Sequence, residues 1–312
     1  MNEGASVSVP EEMAGVRPDR AVAVLTGLSR SVSRALIEAG VVTVAGVPVT
    51  RSTRLETGDV IMYPAPSAEA PLAPEPVPFE VVLELSDLLV INKPAGLVVH
   101  PGAGHASGTL VNGLIHRYPE LQALGAQYRW GLVHRLDRDT SGLLLVARTI
   151  ETYEFLQAEL KQRRIGRTYL ALVSGHLDAA TGTIDAPVGR DPVRATRMAV
   201  TQNGRPARTH YRRLAEWAET TLLEIELETG RTHQIRVHLA SIGYGIIGDR
   251  VYGKRRSELG EPGRVWLHAA RLRFRSIDDT HREVSTPLPA DLSGSLDRLG
   301  DPISGDLFSL EP

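Results

Sequence analysis

The sequence predicts an α+β protein: a mixed, mostly antiparallel sheet with flanking helices, preceded by a small separate module. Segments that read as strands outnumber those that read as helices, few of them are spaced for the long crossovers of parallel pairing, and one proline-rich stretch divides the chain. The 312 residues suit one large or two unequal domains, enough to bury a core without staples. Cysteine is absent, which excludes disulfides, thiolate nucleophiles and thiolate-bound zinc. No apolar run approaches the ~18 residues of a membrane span. The opening MNEGASVSVPEEMAG lacks the basic and apolar regions of a signal peptide, so a cytoplasmic protein is expected, with no membrane partner.

Residues 64–78, PAPSAEAPLAPEPVP, hold six prolines and no base, the composition of a stiff linker, placed at 65–78. Ahead of it, Ser29 is expected to cap a helix that ends at Gly40. Val32, Leu36 and Ala39 then share one face, and Arg30 and Arg34, four apart, share another. VVTV and VPVT read as short strands around Ala45-Gly46, and Gly58-Asp59 turns into VIMY. This order, an Arg-bearing helix, a hairpin and a Gly-Asp turn, resembles the S4-type RNA-binding domain over residues 15–64. The resemblance implies that Arg30 and Arg34 meet phosphates.

Beyond the linker, FEVVLELSDLLVINK reads as two strands with a turn at Ser86-Asp87, followed by a loop opened by Lys93-Pro94 and Gly96. Thr149 is placed to cap a helix through about Arg164, with Phe155, Leu156 and Leu160 inward and Gly166 as its stop. TYLALV follows as a strand, and others are expected at 209–214, 221–228, 265–267 and 270–276, the last leading to a turn at Asp278-Asp279. The domain is bounded at 79–290. Residues 291–312, acidic and containing Gly, Ser and Pro, read as a flexible tail.

A net charge of −2 hides a strong asymmetry. Residues 190–275 hold 17 basic against 9 acidic residues, whereas 276–312 hold 8 acids against Arg282 and Arg298. A basic body flanked by acidic stretches suits a polyanion partner, or merely solvated faces.

Two polar clusters stand out. GLVHRLDRDTSGLLLVA at 131–147 sets His134, Arg135, Asp137, Arg138, Asp139 and Thr140 between apolar segments; unpaired, such a run belongs at a cleft or a surface loop. ETGRTHQIRVHLA at 228–240 follows a Thr229-Gly230 turn with Arg231, His233, Gln234, Arg236 and His238. On a strand Gln234, Arg236 and His238 would share a face; on a helix they would not. The five-residue gap between His233 and His238 is not the spacing of a zinc-binding helix, and no acid accompanies them, so no metal is expected.

VHRLDRDTSG and TGRTHQIRVHLA, with INKPAGLVVHP at 91–101, TYLALVSG at 168–175 and IIGDRVYG at 246–253, closely resemble the RluA family of pseudouridine synthases over roughly residues 79–290. With the amino-terminal module, the chain is most similar to the RluD-type enzymes of that family, which act on large-subunit (23S) ribosomal RNA. The resemblance implies a cofactor-free isomerisation that detaches uracil from C1′ of its ribose, turns it and reattaches it through C5, with ribosomal RNA as partner; a monomer is expected. It places the nucleophile at Asp137, a choice between Asp137 and Asp139 that spacing alone leaves open. It pairs Arg236 with that carboxylate; an Arg within ~4–6 Å favours the ionised form of a buried acid. Tyr169 matches the family tyrosine, able to stack on uracil and to handle the moving proton. Arg135 fills the gap left by the flipped nucleotide. Arg231, directly after the turn, is expected on RNA, and Lys93 and Gly96 shape the cleft wall. The competing readings are an RNA-binding protein with a vestigial site and a metal-dependent RNA hydrolase.

Overall fold

The computed structural model describes residues 4–28, 30–64, 72–102, 104–194, 196–253 and 262–305. The chain divides into two compact units, Met1–Leu72 and Ala73–Pro312. The expected cap Ser29, the Arg30 side chain, residues 65–71 of the expected linker and the tail from Asp306 lie outside what is described.

The first unit comprises β1 (Gly4–Ser8), α1 (Pro18–Thr26), α2 (Arg30–Glu38), β2 (Thr43–Val44), β3 (Val47–Pro48) and β4 (Val60–Pro64), its antiparallel sheet ordered β1-β4-β2-β3. Val9, Ala21, Val22, Ile37, Val42, Val49, Leu55 and Ile61 form its core. The hairpin expected at Ala45-Gly46 forms with both residues left-handed, φ 49° and 80°, the conformation a two-residue turn requires. The module reaches further toward the amino terminus than the expected boundary at residue 15. β1 was hidden because GASVS offers little apolar alternation. α1, which starts on Pro18 at its first position and ends on left-handed Gly27, lies outside the elements expected from the sequence.

The second unit contains β5 (Glu80–Glu84), β6 (Leu88–Lys93), α3 (Leu110–Arg117), β7 (Ser141–Ala147), α4 (Ile150–Lys161), β8 (Gly166–Ser174), β9 (Thr181–Asp185), β10 (Val188–Arg190), β11 (Met198–Val200), β12 (Arg208–Glu216), β13 (Thr220–Leu227), α5 (Gln234–Ser241), β14 (Leu267–Arg275), β15 (His281–Ser285), α6 (Ala290–Asp297) and β16 (Ser304–Gly305). The main sheet runs β16-β12-β13-β8-β14-β7-β6-β5, with β9 on β12 and β15 on β14. Among the described residues only β14 and β7 pair in parallel; the other pairs are antiparallel. The mixed, mostly antiparallel α+β fold expected from the sequence is therefore the fold observed. Central strands β6, β7 and β8 are buried on both faces, and α4 closes a core of Leu88, Val90, Leu143, Leu145, Leu156 and Phe274.

Thr149 caps α4, its hydroxyl accepting from Thr152 N at 3.1 Å. The helix stops before Gly166: Arg163 takes the left-handed conformation at φ 60°, and Gly166 opens β8 instead. The strands expected at 265–267 and 270–276 are one strand, β14, broken by a bulge between Ala269 and Arg271.

Two sequence expectations are corrected. Residues 73–78 of the expected linker are fastened to the second unit: Asn112 Nδ2 donates to Ala73 O at 2.8 Å and Glu75 N to Asn112 O at 3.1 Å. The described part of the expected flexible tail is folded, because its sparse apolar residues are helically spaced. Leu292 and Leu296 are buried, Trp266 Nε1 donates to Ser295 Oγ at 2.6 Å, and Asp291 pairs with Arg264 at 2.5 Å.

Candidate active site

The polar run 134–140 lies on the loop that enters β7. Val133 N donates to Leu145 O at 3.1 Å and Thr140 N to Asp137 O at 3.2 Å, so the loop folds back along its own strand and turns at 137–140. Lys93, fully buried, steadies this turn by donating to Arg138 O (2.9 Å), Leu97 O (3.0 Å) and Pro94 O (2.7 Å); burial pulls its ammonium down to about 7. Arg264 holds the far side through Asp139 O and Ser141 Oγ, at 3.2 and 3.1 Å. Gly142 has φ 116°, and a Cβ there would lie 2.3 Å from Ala269 O. Without a side chain, β7 and β14 can approach closely enough to pair.

Residues 234–241 form a helix, α5, so Gln234 and His238 share one face and Arg236 points the other way. Gln234 fixes the lead-in: its Oε1 accepts from Thr229 Oγ1 (2.8 Å) and Arg231 N (3.0 Å), and its Nε2 donates to Arg208 O and Thr209 Oγ1, both at 3.0 Å. His238 is buried between Thr209 Oγ1 and Ala186 O, each at 2.9 Å, a structural histidine.

These elements converge on a cavity of about 740 Å³ lined by Asp137, Tyr169 and Arg236, with Arg135, Arg231 and His233 also on its walls. Arg236 Nη1 donates to Asp137 Oδ2 at 3.1 Å. The remaining edge of the guanidinium grips Asp249, Nε to Oδ2 at 2.7 Å and Nη2 to Oδ1 at 2.9 Å. Burial opposes the Arg236 cation, but Asp249 and then Asp137 outweigh it, and the group is held protonated more firmly than in water. Burial likewise opposes the Asp249 carboxylate, yet bonds from Arg236 and from the Val251 and Tyr252 amides keep its pKa low. Tyr252 lies under Arg236, 5.1 Å from guanidinium carbon to ring centroid, and its hydroxyl is hydrogen-bonded to His233 Nδ1 at 2.9 Å. His233 Nε2 stands 3.9 Å from Asp137. Burial raises the pKa of Tyr169, Arg167 lowers it and Asp137 raises it again, so that ring lies within the electrostatic reach of both.

The two rival acids of the sequence are separated. Asp137 faces the cavity and Arg236; Asp139 is held on the outer side by Arg138, Nε to Oδ1 at 2.9 Å and Nη2 to Oδ2 at 3.1 Å, and does not line the cavity. Arg135 is exposed on the rim. Arg231 is half-buried, with Nε donating to Pro206 O at 3.1 Å. Arg34 belongs to the other unit and pairs with Glu38 at 3.0 Å, as does Arg51.

Several residues on or behind the cavity wall have no role assigned from the sequence. Asp249 and Tyr252 stood in the quoted IIGDRVYG, where a lone acid after an apolar run was the signal. Arg129, which donates to His100 Nε2 at 2.9 Å, and its neighbour Trp130 are both left-handed, φ 51° and 50°, which no residue type announced. Arg167 stands two residues before Tyr169 on β8, where strand alternation alone puts both on one face.

Residues 87–241 match the family described as RNA pseudouridylate synthase. The chain is 49% identical over 306 residues to an "Uncharacterized RNA pseudouridine synthase" of Chloroflexus aurantiacus, covering 95% of this chain and 93% of that one. It is 48% identical to "Ribosomal large subunit pseudouridine synthase D" of Nitrosomonas europaea, covering 80% and 72%. Among solved structures, "Human RNA Pseudouridylate Synthase Domain Containing 1" superposes with a TM-score of 0.61 at 28% identity, over 76% of this chain and 94% of that one.

Proposed function

Because the chain belongs to the RluA family of RNA pseudouridine synthases, we propose that it isomerises specific uridines of large-subunit (23S) ribosomal RNA to pseudouridine during ribosome maturation, with Asp137 as nucleophile. The observation that carries this reading is the pair Asp137–Arg236 in the wall of a nucleotide-sized cavity, with Asp249 buried behind Arg236. A carboxylate that must act as a nucleophile needs its charge and a fixed direction. Arg236 supplies both, and Asp249 fixes Arg236.

The reaction breaks N1–C1′, turns the base and forms C5–C1′; a proton leaves C5 and one is gained at N1. Atoms and electrons balance without an oxidant or reductant, so the residues need only hold the base, present a carboxylate and move a proton. Tyr169 takes the base face and the proton. Arg135 on the rim occupies the stack vacated by the flipped uridine, offsetting part of a flipping cost of roughly a few kcal/mol. Arg231 on the cavity wall, and Arg30 and Arg34 of the amino-terminal module, contact phosphates of the RNA.

The test is incubation with transcribed 23S RNA in the presence of a chelator, with pseudouridine mapped by mass spectrometry. Discrete pseudouridines from the wild type and none from Asp137→Asn are expected. No pseudouridine from the wild type, or cleaved RNA dependent on added metal, would overturn the reading.

A further inference from the structure

Strand β8 sends two side chains to the cavity from one face, Tyr169 and Arg167. Arg167 is 6% exposed, yet among the described residues no carboxylate pairs with it. Its Nε has no hydrogen-bond partner, and Nη2 reaches Leu227 O at a long 3.3 Å. Burial works against its charge, but a guanidinium does not escape by losing its proton. The contrast with its neighbours is sharp: Arg236 has two carboxylates, Arg264 has Asp291 and Lys93 has three carbonyls.

The surroundings leave room for the guanidinium rather than closing over it. A Cβ at Gly230 would lie 2.7 Å from Arg167 Nη1. His134 Nδ1 and Thr140 Oγ1, on residues that line the same cavity, are also buried without partners among the described residues.

The geometry points to Arg167 as an anion site inside the cavity that takes a phosphate of the flipped nucleotide, an inference that rests on the uridine-isomerising reading. A buried cation without a partner destabilises the protein until an anion joins it. Uracil and ribose enter neutral, so within a ribonucleotide the phosphate alone carries a standing charge to match. The planar fork of arginine suits two phosphate oxygens at once. Tyr169, which feels both Arg167 and Asp137, then places the base while Arg167 fixes the backbone beside it.

The test measures binding of uridine, uridine 3′-monophosphate and uridine 5′-monophosphate to the full chain at low salt. One monophosphate should bind the wild type about tenfold or more tightly than uridine, the effect of one charge-assisted bond. Arg167→Met should remove most of that advantage and Arg167→Lys keep part of it. Gly230→Ala crowds the guanidinium while retaining it, and should reduce the advantage even if Arg167→Met fails to fold. Equal affinity for uridine and both monophosphates in the wild type, or an undiminished advantage in the Arg167 and Gly230 variants, would overturn the assignment. Pseudouridine formation by the same preparations separates the two claims. Phosphate preference through Arg167 without pseudouridine keeps the site and sinks the functional reading; pseudouridine without phosphate preference does the reverse.

Discussion

Two arginines line one cavity and have opposite surroundings. Arg236 is locked between Asp137 and Asp249 and lies over Tyr252; Arg167, as deeply set, has among the described residues a single long bond, to a carbonyl. Both face the penalty of burying charge, and only the first is relieved within the protein. The difference teaches what each is for. A cation with all its partners in place holds a geometry, and one without them marks where the charge of an incoming molecule belongs.

The largest expected effect comes from breaking the paired side. Arg236→Met leaves two carboxylates facing each other, Asp249 with no exposed side-chain surface, and should nearly abolish turnover while lowering stability by about 3–5 kcal/mol. Urea denaturation beside the pseudouridine assay checks both; a variant of unchanged stability and unchanged pH–rate profile would remove the ion pair from the account. Asp249→Asn should do less. It weakens two charge-assisted bonds to Arg236 but spares Asp137, so a fall in kcat of roughly 10–100-fold is expected, with KM nearly held, from bonds of about 1.5–3 kcal/mol. An equal rise in KM would instead make Asp249 part of RNA binding.

The unpaired side has a pH signature. Burial lowers His134 to about 3, with Arg167 and Arg129 adding to the effect, and lowers His100 and His268 to about 4. An unfolded histidine titrates near ~6.5. Between these values the unfolded chain binds more protons, so the stabilisation present above ~6.5 is lost as pH falls toward about 4. Denaturation midpoints at pH 7.5, 6 and 5 should decline in that order, and a flat series would mean that these rings are charged in the folded protein. In Arg167→Met the His134 titration should move upward, read by NMR, because one neighbouring cation has gone.

The smallest effect is expected where an arginine is paired and exposed. Arg34 is engaged by Glu38, so Arg34→Ala should reduce the salt slope of rRNA binding by less than the ~0.9 of a full phosphate contact on a duplex. A full unit would show that RNA displaces Glu38.

The sequence carried much of this because its signals were local. Thr149, the Ala45-Gly46 turn and the two polar clusters each announce themselves within a few residues. Asp137 and Arg236 were paired by family resemblance, 99 residues apart in sequence, which no periodicity could supply. What was illegible depended on tertiary context. The tail folds with Leu292 and Leu296 buried and Ser295 accepting from Trp266, the 73–78 stretch is fixed by Asn112, and the isolation of Arg167 is visible only once its surroundings are assembled.

We propose that Asp137 does the chemistry and that its partners hold it in place. Turnover and RNA affinity measured side by side for Asp137→Asn test it most directly, because the amide keeps the shape and removes the charge. The variant should form no pseudouridine, with RNA affinity within a few fold of wild type. Near-normal pseudouridine formation by Asp137→Asn would contradict it and return the role to another residue.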